Sequence, residues 1–595
     1  MGGKILESNN HDVHDVLIVG AGLAGLCLAR QLLLAEPGLR IVMIDRRADV
    51  PRSIQKVGEA TVQVSGYYYS RVLELEEHLM CEHYVKYNLR FYWKNATGGH
   101  RYEDVNQSYI RGLSNIVTYQ LDRNKIEAEL LRVNRERPEF EFHAPARDLE
   151  IDLAEGGELH SFRFRTEEGE VSGRARWVVD AAGRSRVLAK KLGLLRPSPI
   201  HHGTTFFWAE GLVDIEKLTD LTTKQIRLRP DRSALGHVPA FLATNHFCGE
   251  GYWFWVIPLH GRTSLGLVFD AEKISRADVL TPAKCIEWVC REYPMFARDL
   301  PHREIVGRGG FDSYAHDCAQ TISADGWAMV GEAGRFTDPL YSPGGDLISI
   351  YCTLVTDAIL TRDRRALEEK ARLYESLEKA VYEAYVPSFA VGYETLGDQE
   401  CFSLRYTWEL AIYFSFYVFP FINDMFTDRS FVTGYLRRFS HLGPINRRLQ
   451  DFVRDYYRWK KENGPGLPSD PVFFEFYEAW ALKQAELCFY KVGVSAEEAK
   501  QILDGQLANL EEMARWITAH ISANVLDDPR PLHHPDFVRG IDLGTLTFDP
   551  AAMAERLAAC GDTEERWPWN FEPPPYTRFR GDAGLEVPMA AAGGR

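Results

Sequence analysis

The chain predicts an α/β fold: a Rossmann-like dinucleotide-binding domain, an antiparallel sheet inserted in it, and a mainly helical C-terminal region. Three stretches carry that expectation. Residues 15–45, DVLIVGAGLAGLCLARQLLLAEPGLRIVMID, run from a short apolar segment through a glycine turn and helix-spaced leucines to a second apolar segment ending on Asp45. That is the pattern of a βαβ unit. Residues 204–270 contain TTFFWAEGLV, GYWFWVIPL and TSLGLVFD, runs that suit one antiparallel sheet. From about residue 356 to about 525 the pattern is helical and rich in aromatics.

Bulk properties narrow the function classes. With 595 residues, 45% hydrophobic and 12% aromatic, the chain suits two or three domains with a sizeable core. Lys and Arg number 69 against 84 Asp and Glu, a net charge of −15. A field of that sign argues against nucleic acid and against anionic membrane. The 10 cysteines include no C-x-x-C pair, so they read as reduced thiols, neither a disulfide framework nor a zinc site. The N-terminus has no apolar signal core, and the longest apolar run, 410–422, falls short of the about 20 residues a membrane helix needs. A cytoplasmic protein without a transmembrane segment is expected.

The element order places the boundaries. Residues 1–200 form the first part of the nucleotide domain, 201–320 the inserted sheet, and 321–360 a closing strand–turn–helix that returns to the nucleotide domain. Residues 361–567 form the helical domain, and 568–595 a Pro/Gly-rich tail.

Gly20, Gly22 and Gly25 spell G-x-G-x-x-G directly after the first strand. The first permits the tight turn, the second lets backbone approach a pyrophosphate, and the third allows close helix–strand packing. The helix N-terminus offers free N–H groups to the phosphates. Asp45, about 20 residues further on, stands where a carboxylate accepts ribose hydroxyls.

A later segment selects the dinucleotide. DGWAMVGEAGRFTDPLYSPGGDLISIYCTLVTDAIL (325–360) reads as a strand ending at Gly331-Glu332, then a loop, then a helix from about Gly345. It resembles the returning segment with which flavoproteins close an FAD site. The family's usual acid there is aspartate, and here it is Glu332. VVDAAGRSR (178–186) resembles the D-x-x-G segment of the same superfamily, with Asp180-Ala181 in place of the Asp-Gly pair associated with NAD(P)H use. The resemblance therefore implies FAD, held by Gly20, Gly22, Gly25, Asp45 and Glu332, with Arg123 of YQLDR added, and a separate flavin reductase supplying FADH2.

Four further motifs sharpen the resemblance. Trp253, Trp255, Ile257 and Pro258 make W-x-W-x-I-P; on a strand the two indoles and Ile257 share a face. Phe336, Pro339, Ser342 and Gly344 make F-x-x-P-x-x-S-x-G. VGEAT (57–61) follows the second Rossmann strand, and KYNLRF presents Lys86, Arg90 and Phe91. Together, in this order over residues 15–360, they make the chain similar to the flavin-dependent halogenases.

That resemblance implies that FADH2, O2 and a halide, chloride or bromide, give hypohalous acid, and that Lys86 delivers it through a hydrogen bond or a haloamine. Trp253 and Trp255 then partition substrate from flavin, and Gly344 and Gly345 supply N–H groups to the halide. Two departures bear on this. Pro343 stands where tryptophan-acting relatives have a halide-binding N–H, and proline has none. Tyr341 replaces their glutamate before Ser342. The chain thus resembles the non-tryptophan branch acting on phenolic, pyrrolic or carrier-bound acyl substrates in secondary metabolism, with Tyr341 and Ser342 beside Lys86 as candidate catalytic residues.

A basic run over 435–461 offers a surface for an acidic acyl or peptidyl carrier protein, or else a solvated helix face. His201-His202 and His533-His534 lack metal spacing and read as structural. A flavin monooxygenase or oxidase without halide use, and a non-catalytic FAD-fold scaffold, remain as alternatives.

Overall fold

The computed structural model describes residues 13–52, 54–222, 224–225 and 238–574; the tail expected over 568–595 lies outside these residues from 575 onward. Strands buried on both faces must be apolar throughout; residues 16–19 of the strand Val13–Val19, and all of Ile41–Ile44, meet that demand. Val16 and Ile18 enter one hydrophobic core while Leu17 and Val19 enter another, on the opposite side of the sheet. The sheet runs in the order Ile322–Ser323, Trp327–Met329, Glu170–Asp180, Val13–Val19, Ile41–Ile44, Phe140–His143. Glu170–Asp180, Val13–Val19, Ile41–Ile44 and Phe140–His143 run parallel, and Trp327–Met329 joins parallel to Glu170–Asp180. The segment after residue 320 thus adds a strand to this sheet.

Helix α1 (Leu23–Ala35) crosses between the first two strands. Its approach depends on glycine: Gly20 has φ +110°, and a Cβ on Gly25 would lie 2.1 Å from the Gly20 carbonyl oxygen. Helix α2 (Arg123–Arg135) starts at Asp122, whose carboxylate accepts from the backbone N–H of Asn124 at 3.0 Å. That cap sets Arg123 as the first helical residue.

A second sheet has the order Ile305–Phe311, His202–Glu210, Arg262–Asp270, Tyr252–Leu259, Ala243–Gly249, Asn88–Lys94, Val105–Tyr109, Phe473–Phe474. It is not confined to 201–320. Asn88–Lys94 and Phe473–Phe474 join it in parallel pairings, so the sheet is antiparallel at its centre and mixed towards one edge. The reason is connectivity: strands that arrive from other parts of the chain are not bound to run antiparallel, as hairpin partners are.

Helix α3 (Pro343–Leu360) ends the returning segment, and the helical region contains α4 (Arg364–Ala390), α5 (Gln399–Tyr413), α6 (Arg429–Asn463) and α7 (Ala496–Leu526). Asp363, Asp398, Asp428 and Ser495 cap the last four with side-chain oxygens. The apolar run 410–422 is the end of α5, a π-helical turn over Phe414–Val418 and a short helix behind it, all packed inside. Among the described residues no helix is long and apolar enough to cross a membrane. All ten cysteines are free.

Candidate active site

The two sheets and the helical region enclose two cavities that meet at one turn. The first is lined by Val57 to Thr61, Arg123, Trp253, Trp255, Gly331, Glu332, Ser342, Gly344 and Gly345, among others. Gly20, Gly22, Gly25 and Asp45 stand outside this lining, at the start of the βαβ unit. Asp45 accepts from the Ala21 N–H at 3.0 Å and from the Arg47 N–H and Nε at 3.0 and 3.1 Å. Burial raises the Asp45 pKa, but the bonds from Arg47 and the backbone outweigh it and hold the carboxyl below its ordinary range.

Arg123 reaches the cavity because Gly58 leaves it room: with φ +100°, a Cβ there would lie 2.7 Å from Arg123 Nη1. Its guanidinium donates to the Val57 carbonyl and to Glu127. Burial pushes the Glu332 carboxyl up, against the nearby charges of Arg184 and Arg123. Arg123 Nε and Thr204 Oγ1 are buried here without a hydrogen-bond partner. Glycines that let backbone approach, a carboxylate at the second strand, and unmatched donors along the lining suit a dinucleotide with a polar linker. The chemistry of these residues would fit a flavin dinucleotide.

The tryptophan wall bounds this cavity. Trp253 and Trp255 have ring centroids 5.6 Å apart. Gly266 opposes Trp255 across the sheet, and a Cβ there would lie 2.2 Å from the indole. Each indole N–H is satisfied. Trp253 donates to Tyr393 at 2.8 Å, and Tyr393 donates to Asp338, which also accepts from Tyr314 at 2.5 Å and pairs with His202 at 2.8 Å. Trp255 donates to Ser264 at 3.0 Å; Ser264 and Trp208 each donate to Glu59 at 2.6 Å. Burial pushes the Glu59 carboxyl up to about 7, opposed by those two hydrogen bonds.

The second cavity is built around Lys86. Its neighbours include Tyr341, Pro343, Asp346, Tyr385, Tyr406, Glu409, Tyr413 and Phe476. Lys86 ends a short strand paired with Thr118–Gln120 and is 2% exposed. Its Nζ has no hydrogen-bond partner. Burial pulls its pKa down to about 7, with the Asp346 charge opposing. Asp346, in the first turn of α3, accepts from the Ser65 N–H at 2.8 Å and the Tyr413 hydroxyl at 2.7 Å. Burial lifts it to about 6. Of the residues that carried the lysine motif, Phe91 packs against His246, Phe402 and Tyr406, and Arg90 lies 4.5 Å over the Tyr109 ring.

Residues 341–346 separate the cavities and serve both. Tyr341, Pro343 and Asp346 line the Lys86 side; Ser342, Gly344 and Gly345 line the other. Tyr341 and Ser342 have φ of 69° and 62°, two consecutive non-glycine residues in the left-handed region, a conformation that costs about 1–3 kcal/mol per residue. The turn holds because Tyr341 is anchored. Its hydroxyl accepts from Arg405 Nη2 at 3.0 Å, and its ring packs 4.6 Å from Tyr406. Burial keeps the Tyr341 phenol far above its ordinary pKa, so it stays protonated. Pro343 occupies the first turn of α3, where a missing N–H costs the helix nothing.

Sequence reasoning missed Glu59, Asp338, Asp346 and Arg405. Glu59 sits inside the VGEAT segment that was singled out, and Asp346 lies four residues after Ser342. Asp338 lies inside the F-x-x-P-x-x-S-x-G run, while Arg405 belongs to no motif.

The basic run over 435–461 is largely neutralised on α6. Arg438 pairs with Asp504, Arg454 with Asp451, Arg458 with Glu394, Lys460 with Asp398 and Glu400, and Lys461 with Glu250. His202 is bound to Asp338, and among the described residues no cluster could hold a metal ion.

Residues 15–230 match the FAD dependent oxidoreductase family. The chain is 25% identical over 455 residues to the flavin-dependent halogenase chlA of Dictyostelium discoideum, covering 71% of this chain and 74% of that protein. It is 27% identical over 387 residues to the tetracycline 7-halogenase of Kitasatospora aureofaciens, covering 60% and 64%. In fold it is similar to the halogenase PltM, with a TM-score of 0.57 at 16% identity, covering 85% of this chain and 98% of that one.

Proposed function

Because this chain is an enzyme of the flavin-dependent halogenase family with FAD as its cofactor, we propose that Lys86 halogenates an electron-rich aromatic ring held in its chamber. The catalytically idle scaffold falls with that premise. Reduced FAD, with oxygen, supplies the oxidation of halide to hypohalous acid on the tryptophan side. One observation carries the reading: a fully buried amine without a hydrogen-bond partner stands in an aromatic chamber, one turn away from the flavin-side cavity.

With a pKa near 7, a large share of Lys86 is neutral at physiological pH. The neutral amine attacks the halogen of hypohalous acid, forming an N–X bond and releasing water. The ring then takes the halogen, the C–X bond forms, and the ring proton returns the amine. Asp346, held by Ser65 and Tyr413, faces Lys86 as the nearby acid. Tyr341 and Tyr406 supply ring-stacking surface. Gly344 and Gly345 offer backbone N–H groups at the start of α3 for the halide. An untethered small molecule suits this chain better than a carrier-bound one, since five of the eight basic residues over 435–461 are paired to acids of the chain itself. A separate flavin reductase fits Asp180-Ala181.

Pro343 favours a second reading, hydroxylation without halide use, because it removes one anion donor from the turn. One experiment decides. Anaerobically reduced holoenzyme is mixed with oxygen in stopped flow while chloride and bromide are titrated; reoxidation that accelerates and saturates with halide is expected. Indifference to both halides, with an oxygenated product, assigns the chain to the second reading.

A further inference from the structure

A third cavity lies among α4, α5 and α6, and four residues, Tyr385, Ser388, Glu409 and Tyr413, line both it and the Lys86 chamber. On the same measure it holds about 440 Å³ against about 100 Å³ for the chamber. Its origin is in the sequence. Pro387 stands inside α4 and Pro444 inside α6, and both line it. A proline within a helix leaves one backbone bond unmade and its ring pushes the preceding turn away, so the two long helices stand apart where they otherwise pack. The outer end opens at Ser376, Glu383, Ser440 and Arg447, all exposed.

The interior is apolar, with Ile412, Leu436, Phe439 and Leu442 on its walls. Several of the polar groups among them are already engaged with the protein, while Glu409 Oε2, at the inner end beside the Lys86 chamber, has no partner. Asn446 accepts from Trp408 at 2.9 Å and donates to the Ala384 carbonyl at 3.1 Å. Tyr417 donates to the Val381 carbonyl, Ser440 to the Arg437 carbonyl and Ser376 to the Arg372 carbonyl. A ligand carrying several amides, such as a pantetheine arm, would find one open acceptor at the inner end, Glu409 Oε2, and would bury its other amide groups unmatched against the apolar walls, which is unfavourable. A hydrocarbon chain meets no such cost.

We propose that this cavity is a second arm of the substrate site, which takes an unbranched alkyl or acyl chain borne by the aromatic ring at Lys86. The assignment rests on the reading of the Lys86 chamber as the ring site. It makes the substrate a lipid-like aromatic, entering between α4 and α6 or threading its tail outward towards Arg447.

The test uses FAD-loaded protein, with resorcinol and 4-hexylresorcinol as probes in calorimetric titrations. Each buried methylene contributes about fourfold in affinity, so the hexyl compound is expected to bind at least about 100-fold tighter. Leu436→Trp, whose indole fills the cavity, should cut that ratio at least about tenfold, while Leu436→Met, of similar volume, should keep it. A wild-type ratio near one, or a ratio that Leu436→Trp leaves unmoved, overturns the proposal. So does pantetheine binding that 4-hexylresorcinol displaces and Leu436→Trp abolishes, which assigns the cavity to a carrier arm. Halogenation of both phenols is followed in parallel. Tail-dependent binding without ring halogenation breaks the function proposed above and leaves the cavity assignment standing; halogenation without tail dependence does the reverse.

Discussion

On the tryptophan side of the turn at 341–346, every indole N–H of the wall has an acceptor, and the acceptors are held in turn by Asp338 and Glu59. On the other side, the Lys86 amine has no partner. An unmatched buried donor costs about 1–3 kcal/mol, so the chain spends stability in the chamber and recovers it in the wall. The contrast suits the two jobs proposed above. A partition between flavin and substrate has to be rigid, and complete hydrogen bonding makes it so. A group that takes a halogen needs a free lone pair, and a carboxylate bonded directly to Lys86 would keep it protonated.

The strongest way to break this comparison is Lys86→Ala. Product halogenation should fall at least about 100-fold, the usual scale for losing a group that acts on the reacting atoms, while oxidation of reduced FAD stays within about twofold. Halogenation that survives the substitution would falsify the role of the amine.

Next in size is Glu59→Gln. Trp208 and Ser264 both donate to this carboxylate, and an amide brings a donor where two donors already point. A loss of about 1–3 kcal/mol in unfolding free energy is expected, with less halogenated product per FADH2 consumed as Trp255 loosens. A variant as stable and as well coupled as the wild type would show that the wall does not depend on its anchors.

Smaller, and with a sign that can be worked out, is the pH dependence of Lys86. Its folded pKa of about 7 lies below the ordinary value near 10.4. Between those values the unfolded chain binds more protons, so stability rises with pH across that window, and the cost of burying the amine is fully present below about 7. Lys86→Met should therefore raise Tm more at pH 6 than at pH 9. In the wild type, halogenation through the neutral amine should climb as pH rises through about 7 and then level. A rate that falls across the same interval assigns the work to the ammonium as a hydrogen-bond donor.

The smallest effect belongs to Trp253→Phe, which removes one N–H from Tyr393 and keeps most of the ring. About 1 kcal/mol of stability should go, with halogenation changed severalfold at most. A collapse of activity there would mean that the indole itself takes part in the chemistry.

Much of the site was legible in the sequence because its parts are local. The glycine turn and Asp45 belong to one βαβ unit, W-x-W shares a strand face by alternation, and 341–346 is one continuous turn. Lys86 was legible through its motif, though its isolation was not: the absence of a partner depends on Ser65 and Tyr413, which take up Asp346 from 281 and 67 residues away. Arg405 was invisible for the same reason, since its work is to hold Tyr341 from 64 residues away. The basic run over 435–461 read as a possible docking surface because most of its acidic partners, Asp504, Glu394, Asp398, Glu400 and Glu250, lie on other elements.

By itself the sequence determined the α/β class and the dinucleotide-binding βαβ unit, because hydrophobic period and glycine geometry act within a few residues. Its resemblance to the flavin-dependent halogenases pointed to FAD, the tryptophans and the lysine. Only the tertiary structure decided which face of the 341–346 turn each residue serves, and that the wall is fully hydrogen-bonded while Lys86 is bare. It also decided that the prolines of α4 and α6 open a cavity behind the chamber. Those outcomes depend on which distant groups are buried together, and burial sets both the energy of a hydrogen bond and the charge on an amine.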